Sequence, residues 1–515
     1  MSINILHKIK IKTLIAFSLL ACISFSSCND FLDIDSKHAA PENKQWKSYA
    51  DVRSALMGVY GLTRAAVSEN NTHWICGELR MGDFTVYNRN DLKSVVNNEL
   101  IKPYSLLDEV SNWRRFYAAI NAAAVFIEKA PQVVLNDRSY SEVNLTNDIA
   151  QVKALRAFLY FYMVRIWGDV PLVTESYDNG SFPEIARTDQ RVVLNYARGE
   201  LLEVIDDLPF KHGGSKSNLY YGQEYAYWRG VLFNKLSAYA ILAHISAWEG
   251  NYANAETYAA YVMDNAAESE ATYTAIADLT SETGIYASKS ASKIISFNYS
   301  YDYFESTKSG HLEELTLAYP FVQKTNPDIY ITKDSLYSIF SDLNDLRFGI
   351  DTVTLKYSTN YIHDLNATIP IFSKVKVIQN GKNEDGDYAV FGSSIIFTRL
   401  EELTLLRAEA LIVLNRPTEA IVYLNNLRKN RNLRDLSYKS DFKSDDKKLL
   451  KTIFEERRKE LMGEGWRWYD MIRQQRLLGD NEKMGKLIDE GGIYWPIAQD
   501  VLSANSSINQ NGFWE

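Results

Sequence analysis

The sequence predicts an all-α protein, a scaffold of tetratricopeptide-type helix pairs interrupted by an irregular region rich in loops and short strands. Three observations predict it. Apolar residues recur at three- and four-residue spacing over long segments, and two helix-turn-helix segments carry small residues twelve apart. Between about residues 271 and 397 the helical period gives way to short β-rich runs separated by Gly, Asn, Asp and Ser clusters.

The chain opens with a basic stretch (Lys8, Lys10, Lys12), an apolar run from Leu14 to Phe25, then Ser26, Ser27 and Cys28. This is the layout of a bacterial secretion signal spanning residues 1–27, with Cys28 placed for cleavage by a lipoprotein signal peptidase. Cys22 also follows a small residue, but cutting there would leave Ile23 and Phe25 on the mature end. Cys28 is therefore the expected lipidation site. The run is short of the roughly 20 residues that a spanning helix needs, and the later sequence shows no longer one. The expected attachment is a lipid tether.

Cleavage before Cys28 removes three lysines and no acid, taking the net charge from −9 to −12 and leaving 488 of the 515 residues. Nucleic acid is thereby excluded as a natural partner. Cys76 is then the one cysteine besides the anchor, so an exported chain must rely on a large core, which this length allows. Aromatics reach 13%, with 33 tyrosines and 10 tryptophans. Most belong to the core, but Tyr and Trp also present a flat apolar face with a polar tip, which suits stacking on sugar rings.

The segment IAQVKALRAFLYFYMVRIW, from Ile149 to Trp167, sets Ile149, Val152, Leu155, Leu159, Tyr162, Met163 and Ile166 on one helix face, with Gly168 and Pro171 as stop signals. In YAILAHISAWEGNYANAETYAAYVMD, Ala243 and Ala255 stand twelve apart across a Gly250-Asn251-Tyr252 turn. LEELTLLRAEALIVLN followed by PTEAIVYLNNLRKN repeats the arrangement with Ala408 and Ala420, and Pro417 opens its second helix. Such spacing lets paired helices approach closely, as in tetratricopeptide repeats. The 165 residues from Ala255 to Ala420 are not a whole number of repeats of about 34, so an insertion interrupts the array.

The insertion carries the strand-like runs IISFNYSYDYF, TVTLKYS and IPIFSKVKVI. A second irregular stretch, HWICGELRMGDFTVYNRND, spans residues 73–91. Loops on a rigid scaffold commonly hold binding residues, which makes these two stretches the candidate site. The seven histidines show no metal-ligand spacing, and HExxH, C-x-x-C, P-loop and GxGxxG motifs are missing. His244 reads as a core or surface residue. The doublets Glu401-Glu402 and Glu455-Glu456, adjacent on helices, point apart and read as solvated faces or structural ion pairs rather than a glycosidase pair. EERRKE, from Glu455 to Glu460, reads as helix-surface charge pairing. No catalytic residues, metal or cofactor are expected.

Five ordered segments, from Cys28 to Trp514, together resemble one family, the SusD/RagB outer-membrane lipoproteins. They are CNDFLDI after the signal, ALRAFLYFYMVRIWGDVPLV, EALIVLNRPTEAIVYLNNLRKNRNL, IFEERRKELMGEGWRWYDMIR, and YWPIAQDVLSANSSINQNGFW, where Ala498 replaces a commoner proline. The resemblance implies a SusD-like N-terminal helical region over 28–265 and a C-terminal SusD/RagB region over 266–515. It implies a ligand-binding lipoprotein, not an enzyme, anchored in the outer membrane facing outward. The acidic Asp30, Asp33 and Asp35 after the anchor resemble export signals. It also implies a SusC-like TonB-dependent transporter as partner. Arg156, Arg457, Arg458, Trp466 and Trp468 are expected to be framework.

The expected ligand is an oligosaccharide or polysaccharide. Trp74, Arg80, Asp83, Tyr87 and Asn88 supply a ring with guanidinium, carboxylate and amide groups. Tyr299, Tyr301 and Tyr303 alternate along one side of a strand, and Tyr319 lies on a nearby loop. A peptide-binding RagB-like member is the alternative. A glycosidase and a structural repeat scaffold are weaker readings.

Overall fold

The computed structural model describes residues 45–515 apart from 178–182, 215–217, 288–289, 301–304, 306, 308, 350–359 and 382–388. Cys22, Cys28, Tyr301, Tyr303 and the TVTLKYS run lie outside the described residues.

Helices dominate. The scaffold consists of α1 (Tyr49–Ser68), α2 (Arg114–Lys129), α3 (Glu142–Trp167), α4 (Gln190–Val204), α5 (Lys235–Trp248), α6 (Tyr252–Asp264), α7 (Leu400–Val413), α8 (Pro417–Asn430), α9 (Asp446–Glu460) and α10 (Arg467–Leu478). Their ends follow local chemistry. Ser48 and Asp51 form a capping box on α1, Asn234 and Ser237 another on α5, and Ser141, Asp189, Asn251 and Asp445 accept from first-turn N–H groups. Gly168 closes α3 at φ 72°, and Pro417 opens α8.

The predicted helix at 149–167 is present but longer, and it is buried on nearly every side instead of on one face. The reason is its place in the array, where α1 and α2 cover one side while α4 and α5 cover another. The segment 105–136 also departs from the reading that nothing beyond the signal is apolar enough to span a membrane, because by length and composition it is. It breaks at Asn112-Trp113 and before Pro131, and α2 packs on α1 and α3.

Both small-residue pairs form as expected, with Ala243, Ala255, Ala408 and Ala420 fully buried. The two pairs, far apart in sequence, touch in space through α6 and α7. The insertion therefore leaves a continuous helical array and returns to it. Its neck is closed by two wholly buried strands, β2 (Lys293–Phe297) and β8 (Ile395–Arg399), paired antiparallel with Phe297 opposite Ile395. A shorter ribbon joins β1 (Thr85–Val86) in the early irregular stretch to β3 (Ile329–Tyr330) in the insertion. Two more ribbons, β4 (Ile362–His363) with β5 (Ile371–Phe372) and β6 (Ile378–Asn380) with β7 (Val390–Phe391), lie within the insertion. One hydrophobic core runs from Val52 to Ile508, crossing residue 265.

Buried charge also ties the insertion down. Glu460, unexposed, accepts from Arg347 (3.1 Å), Arg399 (2.9 Å) and Arg431 (2.7 and 2.9 Å). Glu464 binds Arg399 and Lys374, Glu401 lies 3.0 Å from Arg399, and Glu456 pairs with Arg347 and Arg428. With Asp345 on Arg347, five cations face five carboxylates. Burial alone would raise the Glu460 carboxyl, but Arg431, Arg399 and Arg347 hold it well below the usual range.

EERRKE is therefore not a surface run: Glu456, Arg457 and Glu460 face the core, and Arg457 binds Glu402 and Asp470. The doublet carboxylates Glu401, Glu402 and Glu456 are structural ion pairs, not solvated faces. His244 is a core histidine stacked on Trp466 at 4.8 Å.

Candidate functional site

The two irregular stretches meet, and a cleft lies beside their junction. One wall is the C-terminal end of α1, after which Asn70 and Asn71 take successive left-handed conformations, φ 55° and 57°. Asn accepts this backbone more readily than most residues. The turn brings both amides into the wall, beside Gly61, Arg64 and Glu69. The facing wall comes from the insertion: Tyr299, Glu305, Thr307, Ser309, Gly310 and Glu314. Ile75, Leu92, Leu106 and Leu315 supply the apolar surface. The cleft holds about 460 Å³ and adjoins a second hollow of about 440 Å³, lined by Tyr104, Glu109, Asn90 and Asp91; the two share Asn70, Arg89 and Leu106.

The polar groups are pre-arranged. Arg64 donates to the Asn298 carbonyl (2.5 Å) and Glu305 (2.8 Å), and its guanidinium carbon lies 4.6 Å from the Tyr299 ring centroid. Arg89 donates to Asp91 and Asp328. Glu314 accepts from Asn71 Nδ2 (3.0 Å) and from the Gly310 N–H (3.1 Å). Glu69 pairs with Arg115. An apolar floor ringed by amides, hydroxyls and fixed charges is suited to binding a polar ligand in one orientation.

The sequence-predicted residues divide. Tyr299 lines the cleft, but as a wall only 8% exposed, its edge against His311. Tyr87 (46% exposed) and Asn88 lie beside Arg89 at the cleft's edge in sequence, and Tyr319 is exposed on the insertion. Tyr301 and Tyr303, which follow Tyr299, fall outside the described residues.

Trp74 and Arg80, expected at the site, instead belong to the core, and the Asp83 carboxylate is taken up by two arginines beside it. Residues 72–79 are helical turns packed under the segment 463–468, and Trp74 Nε1 donates to the Gly463 carbonyl. Arg80 has no exposure; it donates to the carbonyls of Ile493 (2.6 Å) and Gly492 (2.5 Å) and lies 4.3 Å above Trp468. Asp83 pairs with Arg458 and Arg467; burial would raise its carboxyl, but these two guanidiniums hold it below the usual range. The close packing here needs glycine, since a Cβ on Gly77 would sit 2.0 Å from the Gly465 carbonyl oxygen.

Arg64, Asn70, Asn71, Arg89, Glu305 and Glu314 were not anticipated. The one local signal was the Glu69-Asn70-Asn71 sequence directly after an amphipathic helix, a turn composition with free amides. The framework expectation fits the structure: Arg156 binds Glu200, Arg457 and Arg458 pair as above, and Trp466 and Trp468 are buried.

A larger hollow of about 870 Å³ lies on the scaffold between α4, α5 and α10. Its polar groups serve one another: Arg476 stacks on Trp248 and donates to its carbonyl, and the Tyr494 hydroxyl donates to Gln190. It reads as a furrow between helices.

Known proteins share this architecture. A profile described as the SusD family matches residues 352–490, and one described as "Starch-binding associating with outer membrane" matches residues 30–247. A SusD superfamily protein of Bacteroides thetaiotaomicron, whose crystal structure is known, is 62% identical. The match covers 92% of this chain and 100% of that one, with a TM-score of 0.86. The chain belongs to the SusD/RagB family. SusD-like protein P38 of Formosa agariphila is 24% identical over 96% of this chain and 98% of its own length. A laminarin-binding SusD-like protein of known structure is 20% identical, with a TM-score of 0.64, over 90% of this chain and 99% of that one, and shares the fold. The all-α SusD-like scaffold expected from the sequence is thus the one observed.

Proposed function

We propose that this SusD/RagB chain is a cell-surface lipoprotein that binds oligosaccharides in the cleft at the end of α1 and passes them to a SusC-type TonB-dependent transporter. The observation that carries the reading is the cleft itself. It opens where both irregular stretches meet and sets the Asn70 and Asn71 amides, Glu314 and the Tyr299 wall around an apolar floor. Sugars offer this mixture in return: apolar C–H faces and hydroxyls that both donate and accept. The starch-binding description of the family profile and the laminarin-binding neighbour support a carbohydrate ligand.

The role is binding rather than catalysis. Glu305 and Glu69 are each paired with an arginine, and Glu314 accepts from an amide and a backbone N–H, an arrangement that fixes these carboxylates as parts of a binding surface. Calorimetry on the fragment beginning just after Cys28 tests the reading. Binding of neutral oligosaccharides supports it, whereas binding confined to peptides replaces it with the RagB-like alternative.

Lipidation at Cys28 would hold the protein on the outer leaflet with more than one acyl chain, which suffices for stable anchoring. Cys28→Ala should release it from the membrane fraction. Release by Cys22→Ala alone would move the anchor to Cys22. Protease added to intact cells should digest the native protein, as expected for a lipoprotein facing outward.

A further inference from the structure

We propose that the cleft selects uncharged glycans and rejects chains bearing uronate or sulfate groups, an inference that rests on the glycan reading above. Among the described residues, two cations and five carboxylates line the joined hollows: Arg64 and Arg89 against Glu69, Asp91, Glu109, Glu305 and Glu314. Both cations already face carboxylates of the protein. Arg64 donates to the Asn298 carbonyl and Glu305 and lies over the Tyr299 face, and Arg89 donates to Asp91 and Asp328. Among the described residues nearby, Arg115 pairs with Glu69, and Lys324 with Asp328 and the Glu314 carbonyl.

Recognition of a carboxylate or sulfate is best served by a cation with N–H groups turned to the ligand, such as a guanidinium fork. The wall presents the opposite, a surplus of acceptors. The buried Asn71 Oδ1 has no donor among the described residues, and its Nδ2 is given to Glu314. Glu109 is exposed at the rim of the second hollow. Hydroxyls, and the N–H of an acetamido group, can donate to such a wall through charge-assisted hydrogen bonds. Carboxylate and sulfate groups only accept, and they meet like charge.

The test pairs each probe with its own acidic derivative, so that backbone shape is constant: α- and β-glucan oligosaccharides beside the same oligosaccharides oxidised at C6 to uronates. Calorimetry on the soluble fragment is run at low and at physiological ionic strength. The oxidised chains are expected to bind at least about tenfold more weakly, with the gap narrowing as salt screens the repulsion. Glu109→Gln should narrow the gap at low salt. Equal or tighter binding of the oxidised or a sulfated chain, weakening with salt, overturns the selectivity while leaving the glycan reading in place. If neither neutral nor acidic glycans bind, the glycan reading itself fails and this inference with it.

Discussion

Replacing Glu460 by glutamine removes one negative charge from the buried network and changes little else in shape. Three guanidiniums, those of Arg347, Arg399 and Arg431, converge on this carboxylate through four hydrogen bonds of 2.7 to 3.1 Å, all without solvent exposure. Five cations would then face four carboxylates, and the new amide would turn an N–H₂ toward a donor. Breaking a buried ion pair by removing one partner costs about 3 to 5 kcal/mol. With three cations deprived at once, the upper end is expected, about 5 kcal/mol, a large share of a typical stability of about 5 to 15 kcal/mol.

The loss should appear first in the insertion, because Arg347, Lys374 and Arg399 anchor it to the scaffold. Urea unfolding followed by tryptophan fluorescence measures the total, and limited proteolysis locates it. New cleavage between residues 271 and 397 is expected before the helical array opens. The same network sets an acid limit. Glu460 is held well below its ordinary 4.5, so its contribution is complete above that value and is lost as pH falls through the folded-state value. A Glu460→Gln variant within about 1 kcal/mol of wild type, with unchanged cleavage, would refute the reasoning.

Glu78 gives the opposite pH sign. Its carboxylate accepts from the Gly463 and Gly465 N–H groups (2.9 and 3.0 Å), but burial pushes it up from 4.5 to about 7. The folded state therefore keeps a proton that the unfolded chain has shed, and this residue's contribution falls between pH 4.5 and about 7, by about 3 kcal/mol. The advantage of wild type over Glu78→Gln in denaturant unfolding should shrink across that window. An equal difference at both ends would contradict the assignment. Asn70→Gly keeps the left-handed turn at no steric cost and deletes the amide. Glycan binding should weaken roughly fivefold, the value of about one hydrogen bond, with little change in melting. Normal binding would take Asn70 out of the site.

Helices and their pairing were legible because packing imposes a period on the sequence, and Ala243, Ala255, Ala408 and Ala420 occupy the close contacts that their spacing implied. The ion network was not legible. Its partners come from positions as distant as Arg347 and Glu460, and a run such as EERRKE looks solvated until another element is laid across it. The site shows the same limit. Trp74, Arg80 and Asp83 have the chemistry of a sugar site, but residue type reveals bonding capacity and not which side of the chain faces water. Here the 463–468 and 492–494 segments cover them. Tyr299 lines the cleft because its stretch lies in the insertion. Asn70 and Asn71 escaped because their place in the cleft depends on a backbone turn.

The most direct test of the account is to fill the cleft without disturbing the fold. Gly61 lines it from α1, and a Cβ placed there meets nothing within 4 Å. Gly61→Trp should thus project a ring into the cavity of about 460 Å³. It also replaces the poorest helix former short of proline with a better one. Calorimetry of this variant beside wild type, with an oligosaccharide that wild type binds, should show binding abolished while the melting temperature is unchanged or higher. Undiminished binding in a folded Gly61→Trp protein would contradict the account and place the ligand elsewhere.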